Sequence, residues 1–294
     1  MLELPPLPDD LPWSLPAYLL LDGVSASNLA HRLHRWDNPV YCLYHGTRWH
    51  ELADISPCLV TLKGAGDSLL AYFQENAALE WGYLLFSDAD ATTLCKHWRR
   101  LLSVEHPSAV EVMPRIADPA VMHGMFDLAG QANSARWFGP VAHVCLPDGI
   151  EGIWRQHIRR EHASAEPQNY ELTDQELTAL GEVEFRNVVS ALSEHLHANF
   201  PTFMASFSGP ECRQYAQRLA CEAYRQGFCS EQEMAFYANV FGYLAGRPVT
   251  EHPDIAQLLA GAGAGAGAGA PSARVRRAAE LAESIAADRQ GGLL

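Results

Sequence analysis

The chain has 294 residues, of which 48% are hydrophobic and 19% charged, so it is long enough to bury one large core or two ordinary ones. Its formal net charge of -14 at pH 7 argues against a protein that tracks nucleic-acid phosphates, because that role needs clustered Lys and Arg. The first residues are acidic and proline-rich, and no apolar run is long enough to span a membrane, so a cytoplasmic location is expected.

The first half of the chain predicts an α/β lobe that follows a proline-rich arm over residues 1–16. Apolar segments bounded by Gly, Pro, Asp or Asn predict short, mostly buried strands at Ala17–Leu21, Val40–Tyr44, Cys58–Leu62, Gly82–Phe86, Val110–Met113 and Pro140–Leu146. Apolar residues at helical spacing predict flanking helices over Ser25–Trp36, Ser68–Leu79 and Ala91–Leu102. The alternation of strand and helix assigns this lobe to residues 17–148.

The second half predicts an all-α lobe over residues 170–260. Residues 149–169 are predicted as a connecting helix over Gly152–His162 followed by a linker over Ala163–Asn169. Capping boxes that begin at Thr173 and Ser230 mark helix starts, and Gly227 marks a helix end. The Gly-Ala repeat of residues 261–270 predicts a flexible linker, and residues 271–294 predict a tethered helix with a thin apolar stripe. The sequence leaves open whether this helix is ordered without a partner.

A search for reactive residues gives few candidates. The seven cysteines include no Cys-x-x-Cys pair and are expected to be buried, reduced thiols, and no His spacing fits a zinc site. Neither a Walker loop nor a nucleophile elbow is present, so no cofactor, metal or catalytic site is expected. One alternative is a hydrolase of unknown substrate that uses Asp22 and Asp118, since acids at strand ends face the crevice of α/β folds. The simpler interpretation makes Asp22-Gly23 a turn in which Asp22 caps the helix at Ser25.

An ordered series of short motifs runs through the first lobe: Leu21-Asp22, Tyr44, Gly46-Thr47, Glu51-Leu52, Pro57, Leu59-Val60, Trp81-Gly82, His97, Arg99-Arg100, Arg115, Asp118-Pro119 and Phe138-Gly139-Pro140. Their order resembles the N-terminal lobe of the bacterial type VI secretion effector chaperones, also called adaptors, which load toxic effectors onto the secretion spike. The sequence departs from that pattern at Ala120, where the family usually has Arg after Asp-Pro. The departure leaves open whether this corner contacts a partner or forms a structural turn.

The resemblance implies a two-lobed cradle that binds a secreted effector and presents it to the valine-glycine-repeat spike protein. It points to a binding protein rather than an enzyme, and the charge and the short apolar runs make neither nucleic acid nor membrane an expected partner. Arg99, Arg100, Arg115 and Asp118 are candidates either for partner contact or for an ion-pair network within the lobe. Exposed aromatic, Met and charged side chains are the predicted partner-binding residues, with core burial as the alternative for any one of the apolar members: Trp137, Phe138, Trp154, Phe203, Met204, Phe207, Arg99, Arg115 and Asp118.

Overall fold

The structure is a computed structural model that describes residues 3–26, 28–132, 134–160, 170–260 and 269–291. The chain divides into two compact units, residues 1–183 and residues 184–294. The described strands all lie in the first unit and the second is helical, which confirms the predicted order of an α/β part followed by an all-α part. Within the described residues, no helix combines the length and the apolar character that a membrane crossing requires.

The strands of the first unit form one large sheet and one small sheet. In chain order they are β1 (Ala17–Leu21), β2 (Val40–Cys42), β3 (Cys58–Thr61), β4 (Gly82–Phe86), β5 (Val104–Glu105), β6 (Glu111–Val112), β7 (His143–Asp148) and β8 (Ile153–Ile158). Six of them form the large sheet in the order β2-β3-β1-β4-β7-β8, and all neighbours in it are antiparallel. The first strand of the chain therefore lies inside the sheet, between β3 and β4.

Helices and core side chains cover both faces of the large sheet. They are α1 (Leu29–Leu33), α2 (Ser68–Glu75), α3 (Ala91–Leu101) and α4 (Pro119–Gln131), with 3-10 helices at His50–Ile55 and Ala77–Leu79. Successive side chains of a strand point to opposite faces, and β1 is buried on both. Leu20 packs in one core with Trp98 and Phe126. Leu21 packs in the other core with Leu29 and Phe73.

Several predicted elements are shorter than their sequence patterns suggested, and two differ most. The prediction of a helix over Ser25–Trp36 is wrong at both ends, because Asn28 adopts a left-handed backbone conformation with φ of 56° and only Leu29–Leu33 is helical. The predicted strand at Val110–Met113 is reduced to the two residues of β6, which pair with β5 outside the large sheet.

The predicted helix over Gly152–His162 is wrong for its described part, because Ile153–Ile158 forms the edge strand β8. Gly152 has φ of 67° and its amide donates to the Asp148 carbonyl at 2.8 Å, so the chain reverses in a tight turn after β7. The Arg155 guanidinium returns across the hairpin to the Asp148 carboxylate at 2.8 Å. The stretch has basic residues at a spacing that fits either structure, and pairing with β7 decides in favour of the strand.

The proline-rich arm is part of the folded unit rather than a segment that precedes it. Leu11 is buried in the same core as Leu21, and the Trp13 ring lies 5.1 Å from the Phe86 ring, edge to face. The Trp154 indole nitrogen donates to the Pro5 carbonyl at 2.8 Å. The prolines exclude a helix, as predicted, but they leave the intervening Leu and Trp side chains able to cover one face of the sheet.

The second unit begins within a long helix. Its helices are α5 (Asp174–Asn199), α6 (Pro201–Met204), α7 (Gly209–Arg225), α8 (Glu231–Tyr243), α9 (Pro253–Leu259) and α10 (Pro271–Gly291), with a 3-10 helix at Val249–Glu251. The predicted linker at Ala163–Asn169 and most of the one at Gly261–Ala270 lie outside the described residues.

The predicted helix ends are confirmed. Thr173 and Glu176 bond reciprocally at the start of α5, with the Glu176 amide 3.2 Å from Thr173 Oγ1 and the Thr173 amide 2.8 Å from Glu176 Oε2. Ser230 caps α8 in the same manner. Gly227 has φ of 83° after α7, and the Phe228 amide donates to the Ala223 carbonyl at 3.0 Å, which completes the left-handed cap.

The last helix is packed into the second unit rather than held by its linker alone. Helix α10 packs against α8 and α9 within the core of the second unit. Its buried stripe consists of small residues, with Val275, Ala278 and Ala282 all fully buried, so counting large apolar residues underestimated it. Arg274 is buried as well, and its Nη1 donates to the Leu258 carbonyl at 3.0 Å.

The Trp81-Gly82 motif has a steric basis that gives a testable prediction. Gly82 has φ of 154° opposite Leu21, and a Cβ there would approach the Leu21 Cα to 2.8 Å and the Leu20 carbonyl oxygen still more closely. Because these are backbone atoms that cannot move aside, we expect Gly82→Ala to lower the free energy of unfolding by about 2 kcal/mol or more, measured by urea denaturation.

The matched control for this variant is Gly130→Ala. Gly130 lies in α4, and the space that a Cβ would occupy there has no neighbouring atom within 4 Å, so the added methyl group meets open space. We expect it to leave the protein as stable as the parent or more stable by about 0.5–1 kcal/mol, because alanine favours a helix over glycine. Equal effects of the two variants would contradict the steric explanation.

Candidate functional site

Asp22, Arg115 and Asp118 come together at the end of β1 and the start of α4, and we call them the ionic triad. An Arg115 Nη atom contacts the Asp22 carboxylate, and the other lies 3.2 Å from Asp118 Oδ2. Asp22 also accepts hydrogen bonds from the Val24 amide at 3.1 Å and from Ser25 Oγ at 2.8 Å. Asp22 therefore closes the turn after β1, as predicted, although α1 begins later than Ser25.

Asp118 caps α4. Its Oδ1 accepts from the Ala120 amide at 2.9 Å and from the Val121 amide at 3.3 Å, and Pro119 occupies the first helical position. Burial raises the pKa of the Asp118 carboxyl above its ordinary value, and Arg115 and the two amides oppose that rise. The Asp-Pro corner is thus a helix start in this chain, and its contacts are formed with Ala at position 120.

The other two candidate arginines, Arg99 and Arg100, lie outside the ionic triad, so the four charged residues do not form one ion-pair network. Arg99 Nε donates to the Leu43 carbonyl at 3.0 Å, and its Nη2 donates to the His45 carbonyl at 3.0 Å. These bonds fasten α3 to the loop after β2. Arg100 lines a cavity of about 430 Å³ beside the small sheet, together with Ser103, Val104, Glu105, Ala109, Glu111 and Tyr170.

Trp137 and Phe138 are core residues, so the expectation that they are exposed is wrong. Each is about 1% exposed. The Trp137 indole nitrogen donates to Glu176 Oε1 at 2.7 Å, and the Phe138 ring lies 4.7 Å from the Phe126 ring. Trp154 is half-buried against the proline-rich arm. The aromatic residues near the predicted lobe boundary were expected to form a partner-binding surface. Trp137 and Phe138 instead belong to the core beside the sheet.

Glu176 is the centre of a buried polar network that the sequence revealed only in part. Its carboxylate accepts from Trp137 and from the Tyr170 hydroxyl at 2.7 Å, in addition to the predicted bonds with Thr173. The Arg136 guanidinium carbon lies 3.7 Å from the centre of the Tyr170 ring. Burial raises the pKa of Glu176, but the hydrogen bonds from Thr173, Trp137 and Tyr170 outweigh it and the pKa lies below its ordinary value.

Among the predicted residues of the second unit, Phe203 and Phe207 are partly exposed and Met204 is buried. The Phe203 ring lies 5.4 Å from Phe207 and 5.7 Å from Tyr215, and Phe207 lies 5.1 Å from Tyr215. A cavity of about 280 Å³ opens beside these rings. We call it the aromatic pocket, and its lining residues are Ser206, Phe207, Glu211, Gln214, Tyr215 and Arg218.

The aromatic pocket combines apolar and charged groups at the start of α7. The Arg218 guanidinium carbon lies 5.0 Å from the centre of the Tyr215 ring, and Glu211 Oε2 accepts from the Ser208 amide at 2.8 Å in a capping box. Tyr215 and Arg218 were not predicted as site residues. The helical pattern of α7 places Tyr215 on its buried face, but nothing local in the sequence indicates that this face meets Phe207.

The described residues contain no group of three or more His, Cys, Asp or Glu side chains placed to hold a metal ion. Two histidines are in contact, and His123 Nδ1 lies 2.8 Å from His157 Nε2. Burial and the neighbouring His123 lower the pKa of His157 to about 4, so this imidazole is neutral at physiological pH.

Comparison with known proteins gives two matches. Residues 17–135 match the family described as Domain of unknown function (DUF4123). Over 286 residues the chain is 29% identical to "Accessory protein VasW" of Vibrio cholerae serotype O1 (strain ATCC 39315 / El Tor Inaba N16961). The matched region covers 90% of this chain and 87% of that protein. No solved structure matches the chain significantly. The family match contains the ionic triad, and the two matches confirm the family resemblance that the sequence motifs indicated.

Proposed function

We propose that this chain, which is related to the type VI secretion effector adaptors, is a cytoplasmic adaptor that binds a secreted effector and loads it onto the spike protein. The observation that carries the proposal is the similarity to an accessory protein, because it covers 90% of the chain and therefore reaches into both units. An adaptor of this kind works through binding energy and uses no cofactor.

The ionic triad favours the adaptor over the alternative of a hydrolase. A catalytic pair would need carboxylates turned toward a substrate, whereas Asp22 and Asp118 are 3% and 8% exposed. Both contact Arg115, and both accept hydrogen bonds from backbone amides. Because both carboxylates already have these ionic and hydrogen-bond partners, they are suited to holding β1 and α4 together.

We assign effector binding to the aromatic pocket of the second unit. Phe207 is a partly exposed aromatic side chain beside a cavity, and the exposed Arg218 lies over the neighbouring Tyr215 ring. Aromatic and Arg side chains grouped around a pocket are the types that dominate binding energy at protein interfaces. Glu211 on the rim adds a negative charge, so the pocket suits a segment with an apolar anchor and a basic neighbour.

The test is retention of the effector by the full-length chain. A tagged chain is purified from its native cell, the co-purifying secreted protein is identified, and its affinity is then measured for the parent and for variants. Phe207→Ala and Arg218→Ala are each expected to weaken binding, by about thirtyfold for the aromatic anchor. Arg218 is exposed, so its variant tests the pocket without removing a residue from the core.

Tyr224→Ala is the matched control. Tyr224 is 62% exposed on the same helix, nine residues beyond Tyr215 and therefore on the opposite side of α7. We expect its affinity to equal that of the parent. Unchanged affinity in both pocket variants would move the effector site elsewhere while leaving the adaptor role intact, and turnover of a substrate by the purified chain would overturn the adaptor role itself.

A further inference from the structure

Two cysteines face each other on neighbouring strands at one edge of the large sheet. Cys42 of β2 and Cys58 of β3 are paired in the strand register, and their Sγ atoms lie 3.3 Å apart. Cys58 is fully buried and Cys42 is partly exposed. The pair therefore combines two sulfur atoms in contact with access for a small reagent from one side.

The register gives these cysteines the backbone geometry of a cross-strand disulfide. The Leu43 amide donates to the Pro57 carbonyl at 2.9 Å, and the Thr61 amide donates to the Pro39 carbonyl at 3.0 Å. Hydrogen-bonded pairs thus alternate along the ladder, and Cys42 and Cys58 occupy a non-hydrogen-bonded position between them. Cα atoms at such positions are about 4.5 Å apart, which lies within the range that a disulfide spans.

The two thiols differ in acidity in the way that an oxidisable pair requires. The hydrogen bond between the two thiols lowers the pKa of Cys42, which favours the thiolate at the more accessible of the two sulfur atoms. That same hydrogen bond, together with burial, raises the pKa of Cys58. Burial raises the pKa of Cys145 to about 12, which leaves that thiol inert by comparison.

We propose that Cys42 and Cys58 form a reversible disulfide when the protein meets a hydroperoxide. The Cys42 thiolate attacks the peroxide oxygen and becomes a sulfenic acid, and the leaving hydroxide takes a proton to form water. The Cys58 sulfur then attacks the Cys42 sulfur, its proton joins the departing hydroxide as a second water, and the S–S bond forms. Two thiols are oxidised and one hydrogen peroxide is reduced to two waters.

The disulfide would link β2 to β3 at an edge of the sheet where the strand pairing is short. β2 has only three residues and pairs with β3 alone among the described strands. Arg99 binds the carbonyl of the adjacent Leu43 at 3.0 Å, so the oxidised pair also fixes the loop to which α3 is attached. Oxidation would hold this edge rigid under oxidising stress, and cellular thiols would release it. Transient, redox-sensing bonds are the usual kind of disulfide in the cytosol.

The test uses the full-length protein treated with hydrogen peroxide at neutral pH, followed by peptide mass mapping without reductant. We expect a linked peptide pair that contains Cys42 and Cys58, with the loss of two hydrogens and full reversal by dithiothreitol. The melting temperature should rise by roughly 5 °C, since the closed loop restricts the unfolded chain. The exposed Cys229 serves as the internal control for general oxidation.

Two variants make the result decisive. In Cys58→Ala the Cys42 sulfenic acid has no partner, so a dimedone adduct at Cys42 should replace the linked peptide. In Cys42→Ser, which changes the partly exposed position and spares the core, both products should disappear while Cys229 oxidises as before. Oxidation of Cys42 in the parent with Cys58 still open to alkylation after unfolding would overturn the proposal, as would oxidation of Cys229 while both paired thiols stay reduced.

Discussion

Replacing Arg115 by methionine is expected to lower the free energy of unfolding by about 3 kcal/mol, because it leaves the carboxylates of Asp22 and Asp118 buried without their shared cation. Both contact the Arg115 guanidinium, and Asp22 is 3% exposed. Methionine keeps much of the side-chain volume, so the loss reports the charge rather than a cavity. Urea denaturation measures this loss of unfolding free energy.

The dependence on pH separates the ionic triad from simple packing. Burial already raises the pKa of Asp118 in the folded protein, so its charged form opposes folding at neutral pH and this penalty is relieved as the pH falls. Without Arg115 that pKa rises further. The difference in free energy of unfolding between the parent and Arg115→Met should therefore become smaller as the pH falls from 7 to about 4.

The control for the triad is Arg48→Met. Arg48 pairs with Glu111, but both side chains are more than half exposed, so the expected loss is below about 1 kcal/mol. If Arg115→Met keeps the urea midpoint of the parent and loses the effector, the guanidinium belongs to the binding surface, and our structural interpretation of the triad is wrong.

Removal of the Glu176 carboxylate should have an effect of similar size. Glu176→Ala leaves the Trp137 indole nitrogen, the Tyr170 hydroxyl and the Thr173 amide without the acceptor they share. An unsatisfied buried donor costs about 1–3 kcal/mol, so we expect a total loss of about 3 kcal/mol or more in urea denaturation.

Glu233→Ala provides the matched control, because Glu233 holds the same position in the capping box of α8 but is only partly buried. We expect Glu233→Ala to lower the free energy of unfolding by only about 1 kcal/mol. The lowered pKa of Glu176 means that its contribution is present above the unfolded value near 4.5 and is lost as the pH falls through the folded value. Equal losses in the two variants at pH 7 would show that the buried partners of Glu176 add nothing to the cap.

Features set by a few adjacent residues could be predicted from the sequence. The caps at Thr173 and Ser230 and the left-handed Gly227 depend on contacts within five residues, so their signals are local. The turn at Asp22 follows the same rule. The alternation of short apolar strands and helical segments also sufficed for the fold class, since it reports which faces are buried.

Features that depend on distant partners could not be predicted. The segment that forms β8 is a strand because β7 offers a free edge, and the arm is ordered because a sheet face remains to be covered. Asp22 and Arg115 are 93 residues apart, so the sequence indicated each residue without indicating the bond. For the same reason, the sequence could not separate the buried aromatic residues from the partly exposed ones. Trp137 fills a core, whereas Phe207 borders a pocket only because Tyr215 on α7 lies against it.

The place of β1 inside the sheet links folding to the order of synthesis. β1 is made first, but the strand that completes its second edge ends only at Phe86, about 65 residues later. At roughly 5–20 residues per second, the ribosome needs several seconds to supply it. During that interval five consecutive residues destined for burial have at most β3 beside them and lack β4 on the other edge. The newly made β1 is thus the segment that a ribosome-associated chaperone would protect, and the first unit can close only after its last strands have left the exit tunnel.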